Sequence, residues 1–292
     1  MARSQIIDLD GPVHYVDHGG RGTPMVLVHG LGGSHLNWLA VAPRLAERHR
    51  LYAVDLAGFG LTPLAGRRAS VHANQRLLDG FLDQIVPDKP VTLVGNSMGG
   101  LISMMEAAEY PQKVESLVLV TPALPPVSRS AVNRQALIRI ALPALPVVGP
   151  KIADRYRAMV PLERQVDDTL EMLCVDARRV PEEIRVASLE MTRLRQDMEW
   201  TVPAFVDASR SIGLMFARRK RYMSMIHRIS CPVLVVHGEH DAIVPVAAAR
   251  WLREQRPDFD FAFFADAGHI PHIETADKFV KSVEKFLHGV TV

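Results

Sequence analysis

The sequence predicts an α/β fold: a mostly parallel sheet with helices on both faces, interrupted by a helical insertion. Three observations carry this reading. Short apolar runs recur along the chain at Met25-Val26-Leu27-Val28, Leu51-Tyr52-Ala53-Val54, Val91-Thr92-Leu93-Val94 and Ser116-Leu117-Val118-Leu119-Val120. Most gaps between the early runs can hold a helix, and strands buried on both faces read as continuous apolar runs. The alternation stops at Thr121-Pro122 and resumes at Cys231-Pro232, which divides the core in two.

In order, residues 13–17 alternate and predict an early antiparallel strand. The run from Met25 ends in His29-Gly30, and the run from Leu51 ends at Asp55. The run from Val91 leads through Gly95-Asn96-Ser97-Met98-Gly99-Gly100 into a helical stretch beginning at Leu101. Beyond Val120, Pro122, Pro125 and Pro126 open a linker. The 107 residues from 122 to 228 carry 18 Lys and Arg against 12 Asp and Glu, whereas the rest of the chain is net acidic. We read this segment as a helical cap (122–228) between two core parts, 1–121 and 229–292. Pro232-Val233-Leu234-Val235-Val236 and Phe259 to Phe264 supply the last strands.

At 292 residues and 48% hydrophobic, the chain can bury a large core. A net charge of +2 gives no case for nucleic-acid binding. Cys174 and Cys231 lack metal-site spacing, and free thiols fit an intracellular protein. Residues 1–8 show no signal-peptide apolar region, and the expected location is the cytoplasm. The longest apolar stretch, Ala136 to Val148, is broken by Arg139, Pro143 and Pro146, so no transmembrane helix is expected. No metal or other cofactor is expected.

A serine flanked two residues away by glycines, between a strand and a helix, marks a nucleophile elbow. The sharp turn strains the backbone and lifts the hydroxyl clear of the sheet. A serine hydroxyl needs a base, and the base needs a group to fix its tautomer. Both are sought at the carboxyl ends of other strands. His269 follows the Phe259 to Phe264 run, after Gly268. Asp241 follows the preceding run in His237-Gly238-Glu239-His240-Asp241. Of the competing acids, Glu239 lies too near the strand end and Asp266 braces its own loop. Oxyanion donors are expected from the backbone N–H of Met98, at a helix N-terminus, and of Leu31, in a loop where Gly30, Gly32 and Gly33 allow close approach to a ligand. Asp55-Leu56-Ala57-Gly58-Phe59-Gly60 lacks the third glycine of a dinucleotide loop and is read as a structural turn.

Taken together, these stretches resemble the α/β-hydrolase family, in family order across nearly the whole core. The resemblance implies an eight-stranded, mostly parallel sheet with a helical cap. It also implies Ser97 as nucleophile, His269 as base, Asp241 as its orienter, and Leu31 and Met98 as oxyanion donors. Serine at position 97 argues against the dehalogenases and epoxide hydrolases of this fold, which use aspartate. The Gly-Asn-Ser-Met-Gly-Gly elbow is similar to that of carbon–carbon hydrolases, but Ile270 follows His269 where those enzymes usually carry an aromatic. The expected activity is therefore cleavage of a small hydrophobic carboxylic ester through an acyl-enzyme. Carbon–carbon hydrolysis, or ligand binding without catalysis, is the alternative. Met159, Met172, Met191, Met198, Met215, Met223 and Met225 are read as core filler, a few of them as lining for an acyl pocket. The basic run Arg218-Arg219-Lys220-Arg221 is read as a solvated helix face, the sharper reading being contact with anionic substrate or an acidic membrane surface.

Overall fold

The computed structural model describes residues 2–87, 89–127 and 148–290. The apolar stretch from Ala136 and part of the linker lie outside the described residues.

The strands are β1 (Arg3–Asp8), β2 (Pro12–Gly19), β3 (Pro24–Val28), β4 (Arg50–Val54), β5 (Val91–Asn96), β6 (Val114–Val120), β7 (Val233–Gly238) and β8 (Asp260–Phe264). They form one eight-stranded sheet in the order β1-β2-β4-β3-β5-β6-β7-β8. β2 is antiparallel to β1 and β4, and the remaining pairings are parallel. Seven of these strands coincide with the alternating or apolar runs of the sequence; β1 does not. This edge strand is mostly exposed and carries no apolar run, so only its pairing with β2 reveals it.

The continuous apolar runs are explained by burial on both faces. Met25 and Leu27 of β3 point to one side, where Trp38, Leu45 and Phe279 pack. Val26 and Val28 point to the other, where Leu78, Phe81, Leu101 and Ile102 pack. The first side is covered by α1 (Ala42–Leu45) and α11 (Ala276–Val290). The second is covered by α2 (Val71–Ile85), α3 (Met98–Glu109) and α9 (Val246–Gln255).

Between β6 and β7, the described residues form α4 (Val148–Met159), α5 (Leu162–Leu173), α6 (Glu182–Gln196), α7 (Thr201–Ala217) and α8 (Arg219–Arg228). A third cluster joins Val166, Leu170, Val180 and Ile184 of this segment to Ile270 and Ile273 of the core. These last two lie at the entry to, and within, the short helix α10 (Pro271–Glu274). These helices between β6 and β7 are thereby seated on the loop that carries His269.

Candidate active site

β5 ends at Asn96 and α3 begins at Met98, which leaves Ser97 to make the whole turn. Its backbone sits at φ 52° and ψ −114°, a region that costs a non-glycine residue about 1–3 kcal/mol. Fixed neighbours hold it there. Ser97 N donates to Val120 O (3.0 Å), and Ser97 O accepts from Ala123 N (2.9 Å) and Leu101 N (3.1 Å). Gly99 is required by space: a Cβ there would lie 2.1 Å from Val28 O.

β7 and β8 deliver the other two side chains. His269 Nδ1 lies 2.8 Å from Asp241 Oδ2. An ionised carboxylate only accepts, so the neutral ring carries its proton on Nδ1 and leaves Nε2 with a free lone pair. Asp241 is held by Ile243 N (2.7 Å) and Val244 N (2.9 Å) on its other oxygen. Burial pushes its carboxyl upward, but the facing His269, their hydrogen bond and the nearby His237 outweigh this. The net result lies below the usual carboxylate range.

The backbone of His269 is fixed from three directions. Its N–H donates to Leu173 O at the end of α5 (2.6 Å), and its carbonyl accepts from Thr121 Oγ1 (2.7 Å) and Asn96 Nδ2 (3.4 Å). Asn96 adjoins Ser97 in the chain, so the serine and histidine loops share one hydrogen-bond network. Among the described residues, no hydrogen bond yet closes Ser97 Oγ onto the imidazole.

Gly30-Leu31-Gly32-Gly33 forms a tight turn closed by Gly33 N donating to Gly30 O (3.0 Å), with Gly32 at φ 71°. It packs against the elbow: a Cβ on Gly30 would meet Asn96 Oδ1 at 2.9 Å and Ser97 Cβ at 3.2 Å. His29 anchors the turn. Its Nδ1 donates to Gly30 O (2.7 Å) and its Nε2 accepts from Leu56 N (3.0 Å). Burial lowers its pKa to about 4, which keeps it neutral. The N–H groups of Leu31 and Met98 have no partner among the described residues.

Asp55 opens the turn read as structural and is its hub. Its carboxylate accepts from His35 N (2.6 Å), Leu61 N (2.9 Å), His14 Nδ1 (2.8 Å) and His35 Nδ1 (2.9 Å). His14, His35 and Asp55 bring ligand-type atoms within 4.8 Å of one another. Four donors already satisfy the carboxylate, so its charge needs no cation.

The α/β-hydrolase-fold model matches residues 23–276. The chain belongs to the α/β-hydrolase family. This hydrolase is 30% identical over 267 residues to a pimeloyl-[acyl-carrier protein] methyl ester esterase of Aromatoleum aromaticum, covering 91% of this chain and 98% of the relative. It is 28% identical over 276 residues to the protein of the same name from Aeromonas hydrophila, covering 93% and 98%. Among solved structures, a meta-cleavage product hydrolase from Pseudomonas fluorescens superposes with TM-score 0.74 at 22% identity, covering 98% of this chain and 97% of that one. The chain is an enzyme, a hydrolase of the esterase kind.

Three residues around this hydrolase's site escape a sequence reading. Thr121 is buried at φ 42°, rare for a β-branched residue, and bonds the His269 carbonyl. Glu274 accepts from Val175 N (2.9 Å), Asp176 N (2.8 Å) and Gly268 N (2.8 Å), which clamps the insertion to the histidine loop. Arg195 reaches from α6 to Gly32 and Gly33. Of the methionines singled out, Met191 and Met225 are buried, whereas Met159 is 67% exposed. The basic run is exposed, with the Arg219 guanidinium 4.7 Å from the centre of the Trp251 ring. Among the described residues, no helix is long and apolar enough to cross a membrane.

Proposed function

We propose that this enzyme is a serine hydrolase that cleaves a hydrophobic carboxylic ester through an acyl-enzyme intermediate. The observation that carries the reading is the strained Ser97 beside a buried His269–Asp241 pair 2.8 Å apart. Ser97 Oγ attacks the ester carbonyl as His269 Nε2 takes its proton. Asp241 holds the imidazole in the tautomer that leaves Nε2 free and stabilises the imidazolium as it forms. The N–H groups of Leu31 and Met98 receive the oxyanion, and the N-terminus of α3 adds its partial positive charge. His269 then returns the proton to the leaving alcohol. Water, activated by the same imidazole, cleaves the acyl-enzyme and releases the acid.

Two relatives named as methyl ester esterases support a carboxylic ester as the substrate class. Ile270 supports it too. Buried against Val166 and Leu170 of the insertion, it spends the position after the histidine on packing. Residues 122–228 serve as the cap that shapes the acyl site, and Met98, Leu31, Gly30, Gly32 and Gly33 form its floor beside Ser97.

The test is turnover of short-chain aryl esters together with labelling by a fluorophosphonate. The wild type should hydrolyse the ester and take one label on Ser97. Ser97→Ala should take none, and its kcat should fall by about 10⁶, leaving only residual catalysis from the oxyanion donors. Full activity in Ser97→Ala would refute the assignment. A vinylogous diketone acid turned over faster than every ester would move the reading to carbon–carbon cleavage.

A further inference from the structure

The turn that presents the Leu31 N–H contains three glycines, so its own backbone preferences hold it weakly. His29 fastens its upstream side through Gly30 O. The downstream side is fastened from outside the core sheet. Arg195, in the last turn of α6, donates from Nη1 to Gly32 O at 2.6 Å and from Nη2 to Gly33 O at 2.5 Å.

This use of an arginine is unusual. Removing a guanidinium from water is costly, and a carboxylate normally compensates. Burial lowers the Arg195 pKa, with the charge of Asp55 opposing, and among the described residues no carboxylate forms a direct ion pair with it. Its contacts are two successive carbonyls. A guanidinium is a rigid fork, so gripping both fixes the Gly32–Gly33 and Gly33–Ser34 peptide planes. The first of these carries the Gly33 N–H that donates to Gly30 O (3.0 Å), the carbonyl of the peptide that presents the Leu31 N–H. A lysine ammonium, a single charged point on a flexible stem, cannot do this.

We propose that Arg195 is a positioning residue for the oxyanion site. It straps the Gly30–Gly33 turn so that the Leu31 N–H stays aimed at the oxygen that becomes negative in the transition state. The inference rests on the ester-hydrolase reading above. It makes α6 part of the chemical apparatus, because the seat of the inserted helices on the core then sets the donor geometry. The same seat is fixed at the end of α5, where Leu173 O holds the His269 N–H and Glu274 clamps Val175 and Asp176.

The experiment compares wild type with Arg195→Gln, Arg195→Lys and Arg195→Ala, the last with and without added guanidinium. Deleting an oxyanion donor costs about 10²–10³ in kcat, and a donor left in place but loosened should cost about tenfold to a hundredfold. The expected loss is in kcat, with KM changed by less than about threefold. The rate of Ser97 labelling by fluorophosphonate should fall by the same factor, since its tetrahedral adduct uses the same donors. Lysine should recover little, and guanidinium should restore much of the loss in Arg195→Ala. Unchanged kcat and labelling rate with a lowered Tm would overturn the proposal, leaving a purely structural contact. A loss confined to KM would also overturn it, in favour of a substrate contact. If the wild type neither cleaves esters nor takes the label, the parent reading fails and the strap fails with it. A labelled wild type with unaffected variants removes the strap alone.

Discussion

Glu274 shows how much of this site rests on backbone contacts. Its two oxygens accept three backbone N–H groups, from Val175, Asp176 and Gly268, and its side chain is fully buried. In Glu274→Gln, one oxygen becomes an NH₂ that faces N–H donors. At least one buried donor then loses its acceptor, and hydrogen bonds to a charged group are worth about 1.5–3 kcal/mol each. The expected result is a loss of about 3 kcal/mol in urea denaturation. A fall in kcat should accompany it, because Gly268 immediately precedes His269. A variant as stable as wild type would refute the clamp. Glu274 also marks the limit of what can be read from a sequence. Ser97, Asp241 and His269 are legible because each sits a few residues past an apolar run, in a pattern the chain itself displays. Glu274, Thr121 and Arg195 act on backbone groups that only folding brings near them. Their own flanking residues, Thr-Pro after a strand or one arginine among several in a charged helix, announce nothing.

At the scale of elements, α3 starts with Ser97 as its N-cap residue and carries a hidden acid one turn from its end. Glu106 is buried, with Oε2 accepting from Gln75 Nε2 of α2 at 2.7 Å. Burial pushes its pKa up to about 8 from an ordinary 4.5, with Asp79 adding to the rise and Gln75 and Lys113 opposing it. Between pH 4.5 and 8 the folded state therefore binds a proton that the unfolded chain has lost. Its contribution is fully present below about pH 4.5 and declines as pH rises to about 8. Glu106→Gln keeps the shape and removes the titration. It should flatten this alkaline-side decline and leave the variant about 1–2 kcal/mol more stable than wild type at pH 9, read by urea denaturation at pH 6 and pH 9. Parallel pH profiles for the two proteins would sink the idea. The elements were legible in proportion to their burial. β3, β5 and β7 stand out as apolar runs because both faces are covered, whereas β1 is an exposed polar edge defined only by pairing with β2.

For the molecule as a whole, the buried imidazoles oppose Glu106 and set the acid limit. His272 lies between Trp38, at 4.7 Å between ring centres, and Phe279, at 6.0 Å. Burial lowers its pKa to about 3, and that of His29 to about 4. An unfolded histidine takes its proton near pH 6.5. Below that pH the unfolded chain gains protons that these two folded side chains refuse, and stability falls with each further unit of acidity. Asp55 and Asp241 act in the same direction lower down. Both are held below the usual carboxylate range by their histidine partners, so their contribution is lost as pH drops below about 4. Acid unfolding should therefore begin near pH 6, before Asp55 and Asp241 protonate, and the aromatic cage around His272 is the place to test it. His272→Leu removes the group that must charge and keeps an apolar filler between Trp38 and Phe279. At pH 7 the variant should lie within about 1 kcal/mol of wild type, since position 272 is uncharged in the fold of both proteins. At pH 4 it should be the more stable by about 2–3 kcal/mol, because the unfolded wild type gains a proton at position 272 and the variant does not. Urea midpoints at the two pH values decide the matter: equal differences at pH 7 and pH 4 would mean that His272 titrates alike in both states and that the acid limit lies elsewhere.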